Sequence, residues 1–215
     1  TDAAEKLFQD LKSRGVKNVV LGGGEPTLSP HFLDVVKMAK QNGFHVQVGT
    51  NGITWPEGLE ENQYIDRFVL PLESMDPAIH DEIRIFSKPH HPVILDRLER
   101  LRKSGRSVTI STIVTKPNLN SVGSVGEFLG DYISRGGQVH AWHIYKFLPQ
   151  GRGGTSHESE LAVTEAEYEV AYKQAKSLNL PVKLFMRRDM YHSKEVDFFW
   201  VENGVIRQGS EIAET

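Results

Sequence analysis

This chain of 215 residues carries a formal net charge of −3 and no basic run, which argues against a general nucleic-acid surface. Its size points to one domain with a proper core, and no apolar segment approaches the roughly 18 residues that a membrane span needs. Cysteine is absent, which excludes disulfides, thiolate metal sites and thiolate-bound iron–sulfur clusters built from these residues. No secretory apolar region opens the chain, so the expected compartment is the cytoplasm. The first residue is Thr rather than Met, which fits either a trimmed initiator or a start inside a longer protein.

A helical pattern begins at Asp2, where Asp2 and Glu5 read as a capping pair and Leu7, Phe8 and Leu11 give an apolar face before Gly15. Val16 to Leu21 reads as a strand buried on both faces. Gly22, Gly23, Gly24, Glu25 and Pro26 follow it directly. Bare glycine backbone lets another molecule approach closely, and a carboxylate beside it makes a ligand-binding turn at a strand's carboxyl end. The plainer reading of the same residues is a tight turn with a solvated Glu.

Phe32, Val35, Val36 and Ala39 repeat at helical spacing until Gly43, and the strand Phe44 to Val48 then delivers Thr50-Asn51-Gly52. Residues 53 to 64 read as irregular. Arg67 to Leu72 is a strand ending in Glu73-Ser74-Met75-Asp76; Pro77 to Arg84 predicts a short helix, and Pro92 opens another through Leu101 to Gly105. Val108 to Val114 is a strand leading to Lys116-Pro117-Asn118, and Ser124 with Glu127 predicts a capping box for a helix to about Arg135. A long strand, Val139 to Leu148, ends in Pro149-Gln150-Gly151-Arg152. Thr164 and Glu167 form a second capping box for a helix to about Leu178. The tail holds Val182 to Met186, Phe198 to Val201 and a turn at Asn203-Gly204.

Alternating β and α segments with buried strands predict a parallel sheet with helices outside, as an open doubly wound sheet or a curved partial barrel. Functional-looking residues follow every strand at the same end, which favours the curved form. The expected division is a core over 1–150 and a C-terminal helix with short strands over 151–215, covering the barrel mouth.

Gly-Gly-Glu-Pro after the first strand and Thr-Asn-Gly after the next strongly resemble the radical SAM superfamily. So do the interval to Leu-Pro-Leu-Glu-Ser-Met-Asp-Pro, the run ending in Lys116-Pro117-Asn118, and the strand from Trp142 to Pro149. The resemblance covers about residues 1 to 150. It implies an α/β fold, a partial (β/α)6 barrel truncated at its first strand, holding S-adenosylmethionine (SAM) across its strand ends. Gly23, Gly24 and Glu25 would hold the methionine amino end, and Thr50 and Asn51 would line the pocket floor or face the substrate. Arg84 would pair with the SAM carboxylate, Ser111 would touch the ribose, and Leu148 and Pro149 would pack on adenine. Pro71 stands where relatives carry Ser, and Glu73 where Asp is common; Ser74 could substitute. The family's Cys-x3-Cys-x2-Cys, which binds a [4Fe–4S] cluster, has no counterpart here, so the cluster is expected only in a longer protein and this chain alone is expected to be inactive.

The implied chemistry is a 5′-deoxyadenosyl radical that abstracts hydrogen from a small substrate, in an oxidoreductase or lyase, with flavodoxin or ferredoxin as electron donor. Lys116, Asn118, Lys146 and Arg152 would meet the substrate, and Arg187 and Arg188 add positive charge to that region. The later segments resemble viperin-type enzymes, which act on a nucleoside triphosphate, more than the cyclases of molybdopterin synthesis. Competing readings are a cluster-free SAM- or nucleotide-binding module, a glycyl-radical-activating or peptide-modifying enzyme, and an unrelated barrel using Glu25 as a general base. Each site residue also has a plain reading: Thr50-Asn51-Gly52 as a turn, Arg84 paired with Asp81 or Glu82, Ser111 bonded to backbone, and the cations as a solvated rim. Adjacent His90 and His91 rarely share one metal ion, and His140 and His143, three apart, should point opposite ways on a strand. No metal ligand set, nucleic-acid partner or membrane partner is expected.

Overall fold

The computed structural model describes residues 2–149 and 155–188, and the backbone of 199–202 and 205–208. Six strands form one parallel sheet in sequential order: β1 (Asn18–Leu21), β2 (His45–Gly49), β3 (Arg67–Pro71), β4 (Ser107–Val114), β5 (Gln138–Lys146) and β6 (Lys183–Arg187). Every crossover therefore steps to the next neighbour in the same direction, which curls the sheet into a half-barrel and puts all strand carboxyl ends on one rim. The segment Lys183–Arg187, which the sequence suggested was a peripheral piece of the tail, pairs with β5 over five positions as the sixth strand of this sheet. A separate antiparallel hairpin joins β7 (Phe199–Glu202) and β8 (Val205–Gln208); the expected turn at Asn203-Gly204, and Phe198, lie outside the described residues.

The helices cover the convex side. Helix α1 (Asp2–Ser13) buries Phe8 and Leu11, and Phe8 meets Phe44 with ring centroids 5.7 Å apart. Helix α2 (Phe32–Gln41) turns Val36 and Ala39 fully inward. Its Lys40 bonds both oxygens of Asp66, at 2.6 and 2.7 Å, while Asp66 Oδ2 also accepts the Val46 amide, so one carboxylate ties α2, β2 and the start of β3. A 3₁₀ turn at Leu59–Glu61 punctuates the stretch expected to be irregular.

Helix α3 (Pro77–Ile83) has the proline at its first turn, and Asp76 caps it by accepting the Ala78 amide. Helix α4 (His91–Lys103) starts one residue before Pro92, because Asp81 Oδ1 accepts both the His90 and His91 amides. Helix α5 (Val122–Ser134) begins earlier than the expected Ser124 cap. Ser124 instead donates back to the Ser121 carbonyl at 2.7 Å, so the predicted box is absent. The one-turn α6 (Glu158–Leu161) precedes α7 (Glu165–Ser177), whose Thr164–Glu167 capping box forms as expected.

Strand alternation divides the side chains. Phe68, Leu70, Val108, Ile110, Val114, Trp142 and Ile144 pack fully buried under the helices. Trp142 Nε1 donates to Thr112 Oγ1, which donates to the Leu72 carbonyl, so these two polar side chains are paired inside the core. The other face, concave, carries Gln47, Arg67, Ser111, His143, Tyr145 and Phe185; the in-register row Pro71–Ser111–His143–Phe185 crosses four strands. At the carboxyl end of β5 and β6, the Tyr168 hydroxyl of α7 donates to the Ile144 carbonyl and accepts the Arg187 amide, at 2.7 and 2.9 Å. No helix among the described residues is long and apolar enough to cross a membrane.

Candidate cofactor site at the strand carboxyl ends

The glycine turn after β1 needs glycine at two places: Gly23 and Gly24 have φ of +81° and +53°, which side chains with a Cβ rarely adopt. A Cβ built at Gly22, Gly23 or Gly24 would meet nothing within 4 Å, so this backbone lies open to an approaching molecule. Glu25, by contrast, is fully engaged within the protein. Its Oε1 accepts the Thr27 amide, the Thr27 hydroxyl and the Thr50 hydroxyl, and its Oε2 accepts the Asn51 amide at 2.7 Å. The carboxylate is thus a clasp between the loops after β1 and β2, with three donors crowded on Oε1 and the Asn51 amide on Oε2. Thr50 Oγ1 also takes the Gly52 amide, and Asn51 Oδ1 takes the Ile53 amide, which shapes the second loop around the clasp.

A second carboxylate organises the loop after β3. Glu73 is fully buried; its Oε1 receives Arg84 Nε and Nη2 at 2.7 and 2.6 Å, and its Oε2 receives the Ile113 amide at 2.6 Å. Arg84 therefore pairs with Glu73 rather than with Asp81 or Glu82, and its side chain remains 27% exposed. The expected substrate contact Asn118 is fully buried and structural: its amide donates to the Glu73 and Ile113 carbonyls while its oxygen accepts the Thr115 amide and hydroxyl. Ser74 is likewise closed to a ligand in this arrangement. Its hydroxyl pairs with Ser121 at 3.1 Å and accepts the Asp76 amide.

Two histidines connect these clasps, a link the sequence did not reveal. The Glu73 amide must donate, so His80 Nδ1 accepts it; His80 Nε2 then carries the proton and donates to His90 Nδ1 at 2.9 Å. His90 Nε2 in turn donates to the Asn51 carbonyl at 2.6 Å. Only neutral rings satisfy this chain. Burial pulls the His80 pKa from 6.5 down to about 3, with His90 and His91 adding to the effect, and burial lowers that of His90 as well. His90 thus positions backbone rather than ligating metal, and among the described residues no group of three or more His, Cys, Asp or Glu could hold a metal ion.

The remaining expected residues spread along the rim and beyond it. Ser111 lies half-buried on the concave face, with its hydroxyl 3.4 Å from the Leu70 carbonyl, and Leu148 and Pro149 sit half-buried just beyond the end of β5. Lys116 is exposed and donates to the Ser159 carbonyl, and Lys146 points to the convex side to meet Glu165 at 3.1 Å. Arg152 lies outside the described residues. His143 and His140 do not face opposite ways as expected: the register slips by one residue between Val108–Val139 and Thr109–Ala141, and this bulge at His140 returns both rings to the concave side. His143 stacks edge-on against Phe185 at 4.9 Å and bonds Tyr145 through Nδ1 at 3.2 Å. Burial, with the positive charge of Arg187 and His140, lowers its pKa to about 4.

Comparison with known proteins decides the family, because the signature described as the Radical SAM superfamily matches residues 1–123, more than half of the chain. The chain belongs to the radical SAM superfamily. Similar curated proteins include an S-adenosylmethionine-dependent nucleotide dehydratase of Flammeovirga pacifica, 26% identical over 76% of this chain and 56% of that protein. Another is an AdoMet-dependent heme synthase of Methanosarcina barkeri, 28% identical over 79% of this chain and 46% of its own length. The chain thus spans about half the length of these relatives. Among solved structures, Streptococcus suis SuiB bound to S-adenosylmethionine superposes with a TM-score of 0.69 at 14% identity, over 89% of this chain and 44% of that one, and shares the fold.

The superfamily uses SAM and a [4Fe–4S] cluster, and the residues present fit the two differently. The open glycine backbone, the rim formed by two clasped loops and the partly exposed Arg84 suit SAM. No thiolate can come from these 215 residues, so none of them ligates the cluster.

Proposed function

We propose that this chain is the SAM-binding core of a radical SAM enzyme acting on a small substrate laid in the concave face of the half-barrel. The observation that carries this reading is the Glu25 carboxylate gripping both Thr50 and Asn51, which makes the loops after β1 and β2 one rim. In this proposal the bare backbone of Gly23 and Gly24 receives the methionine amino end. Glu25, Thr50 and Asn51 hold the rim in shape rather than touching the cofactor through their side chains. Arg84, oriented by Glu73, offers Nη1 to the SAM carboxylate, where a guanidinium fork suits carboxylate oxygens. Ser111 faces the ribose, and Leu148 and Pro149 border the adenine.

Bound there, SAM supplies a 5′-deoxyadenosyl group for hydrogen abstraction, a chemistry that also requires cluster thiolates these residues do not provide and an electron donor of the flavodoxin or ferredoxin type. The protein's own contribution is to fix the sulfonium nucleotide and shield the concave face from water. The relatives' names, a nucleotide dehydratase and a heme synthase, favour an anionic organic substrate over a large neutral one. Titration calorimetry with SAM tests the site: Gly23→Val, which forces a β-branched residue to φ +81°, should abolish binding. Undiminished SAM affinity in that variant would contradict the assignment.

A further inference from the structure

The six strands of the half-barrel contain no Asp or Glu, although the chain as a whole carries 28 acidic and 25 basic residues. Their concave face nevertheless bears Arg67, Lys183 and Arg187, with His45, His140 and His143 among them. Arg67 is half-buried, and among the described residues it forms no salt bridge; its guanidinium Nε reaches only Ser107 Oγ, at 3.4 Å. Burial is costly for a guanidinium that no carboxylate bonds, and it lowers the Arg67 pKa even though the charge of neighbouring Asp66 works the other way. The nearest acid, Asp66, is already spent on Lys40 and the Val46 amide.

The bulge that turns His140 inward places it within electrostatic reach of Arg67, Lys183 and His45; burial lowers its pKa, and these neighbours add to the effect. One row below Arg67, His45 Nε2 is buried with no hydrogen-bond partner among the described residues. Asp66 bears on this end of the face from the start of β3, 3.7 Å from His45 Nδ1, but the strand side chains themselves are of one sign, so positive charge is in excess over the space they border. Ordinary solvated lysine rims do not half-bury an arginine in this way.

We infer that the concave face between Arg67 and Lys183 is a binding site for a ligand carrying at least two anionic groups, phosphates or carboxylates, with His140 between the two cations. This rests on the reading that the substrate lies inside the half-barrel, and it assigns that substrate's charged end to the lower part of the sheet, away from the glycine turn. Phe185, stacked under the Arg187 guanidinium at 5.1 Å, and the neutral His143–Tyr145 pair then line the path from this anion site up to the rim.

Calorimetric titration of the protein with inorganic tripolyphosphate and, separately, citrate tests the site and tells its two sources apart, since a phosphate site prefers the first and a carboxylate site the second. Saturable binding of either is expected, weakened about tenfold or more by Arg67→Gln and by Lys183→Gln, and retained by Arg67→Lys and by the surface control Lys173→Gln. Absence of binding to both anions, or equal loss in Lys173→Gln, would overturn the proposal; so would binding that neither glutamine variant weakens. SAM affinity measured on the same proteins separates the two ideas. Intact SAM binding without anion binding removes only the anion site, while anion binding without SAM binding removes only the cofactor reading.

Discussion

Acidification should loosen this protein through His80, and the size of the effect follows from the structure. His80 is fully buried, its two ring nitrogens committed to the Glu73 amide and to His90, so a second ring proton has no acceptor. Burial holds the folded-state pKa at about 3 against 6.5 for the unfolded chain, so the unfolded state binds the proton first. The stabilisation is complete above about pH 6.5 and drains away as pH falls toward 3. With about 1.4 kcal/mol per pKa unit, the full contribution is at most about 5 kcal/mol, and roughly 2 kcal/mol is already gone at about pH 5.

That loss is large against the roughly 5–15 kcal/mol of a typical domain. Urea unfolding of wild type and His80→Gln, followed by circular dichroism across this range, isolates the contribution. The variant starts less stable because the relay is broken, yet its stability should fall less steeply between about pH 7 and pH 5, by roughly 2 kcal/mol. Parallel pH profiles for the two proteins would refute the neutral-ring relay.

Three further outcomes are expected. Glu25→Gln replaces a carboxylate that accepts four hydrogen bonds and should cost about 2 kcal/mol in urea unfolding, with a loss of SAM affinity in titration. Glu73→Ala strands Arg84 and should destabilise by about 3–5 kcal/mol, whereas the double variant Glu73→Met/Arg84→Met should recover part of this; a double mutant worse than the sum of the singles would contradict the pairing. Gly137→Ala puts a methyl group into the Tyr132 ring, which is anchored by its hydroxyl on the Leu98 carbonyl, and should lower stability by about 1–3 kcal/mol in thermal melts.

The sequence made the parallel α/β half-barrel legible because its signals are local: strand runs, glycine stops and Pro or Thr at helix starts. The Thr164–Glu167 box needs only three residues' spacing and formed as read. The Ser124–Glu127 box has the same spacing and did not, because Ser121 and Ser74, forty-seven residues apart, fix where α5 starts. The convergence of Glu25 with Thr50 and Asn51 was readable from the family motif order, while the crowding of three donors on its Oε1 was not, since it depends on where Thr27 turns. Asn118 carries the same residue type as a ligand contact and only three-dimensional packing shows it to be a buried brace. The inward turn of His140 required a bulge, which shifts the two-residue period without leaving a glycine or proline to betray it.

The tyrosine of α7 has an architectural effect on the last two strands. Its single hydroxyl bonds the Ile144 carbonyl and the Arg187 amide, at 2.7 and 2.9 Å, where Tyr145 and Arg187 remain paired in unbroken register. Because that hydroxyl comes from a helix on the opposite side of the sheet, the alignment of the two strands at this end of the trough is held from outside it.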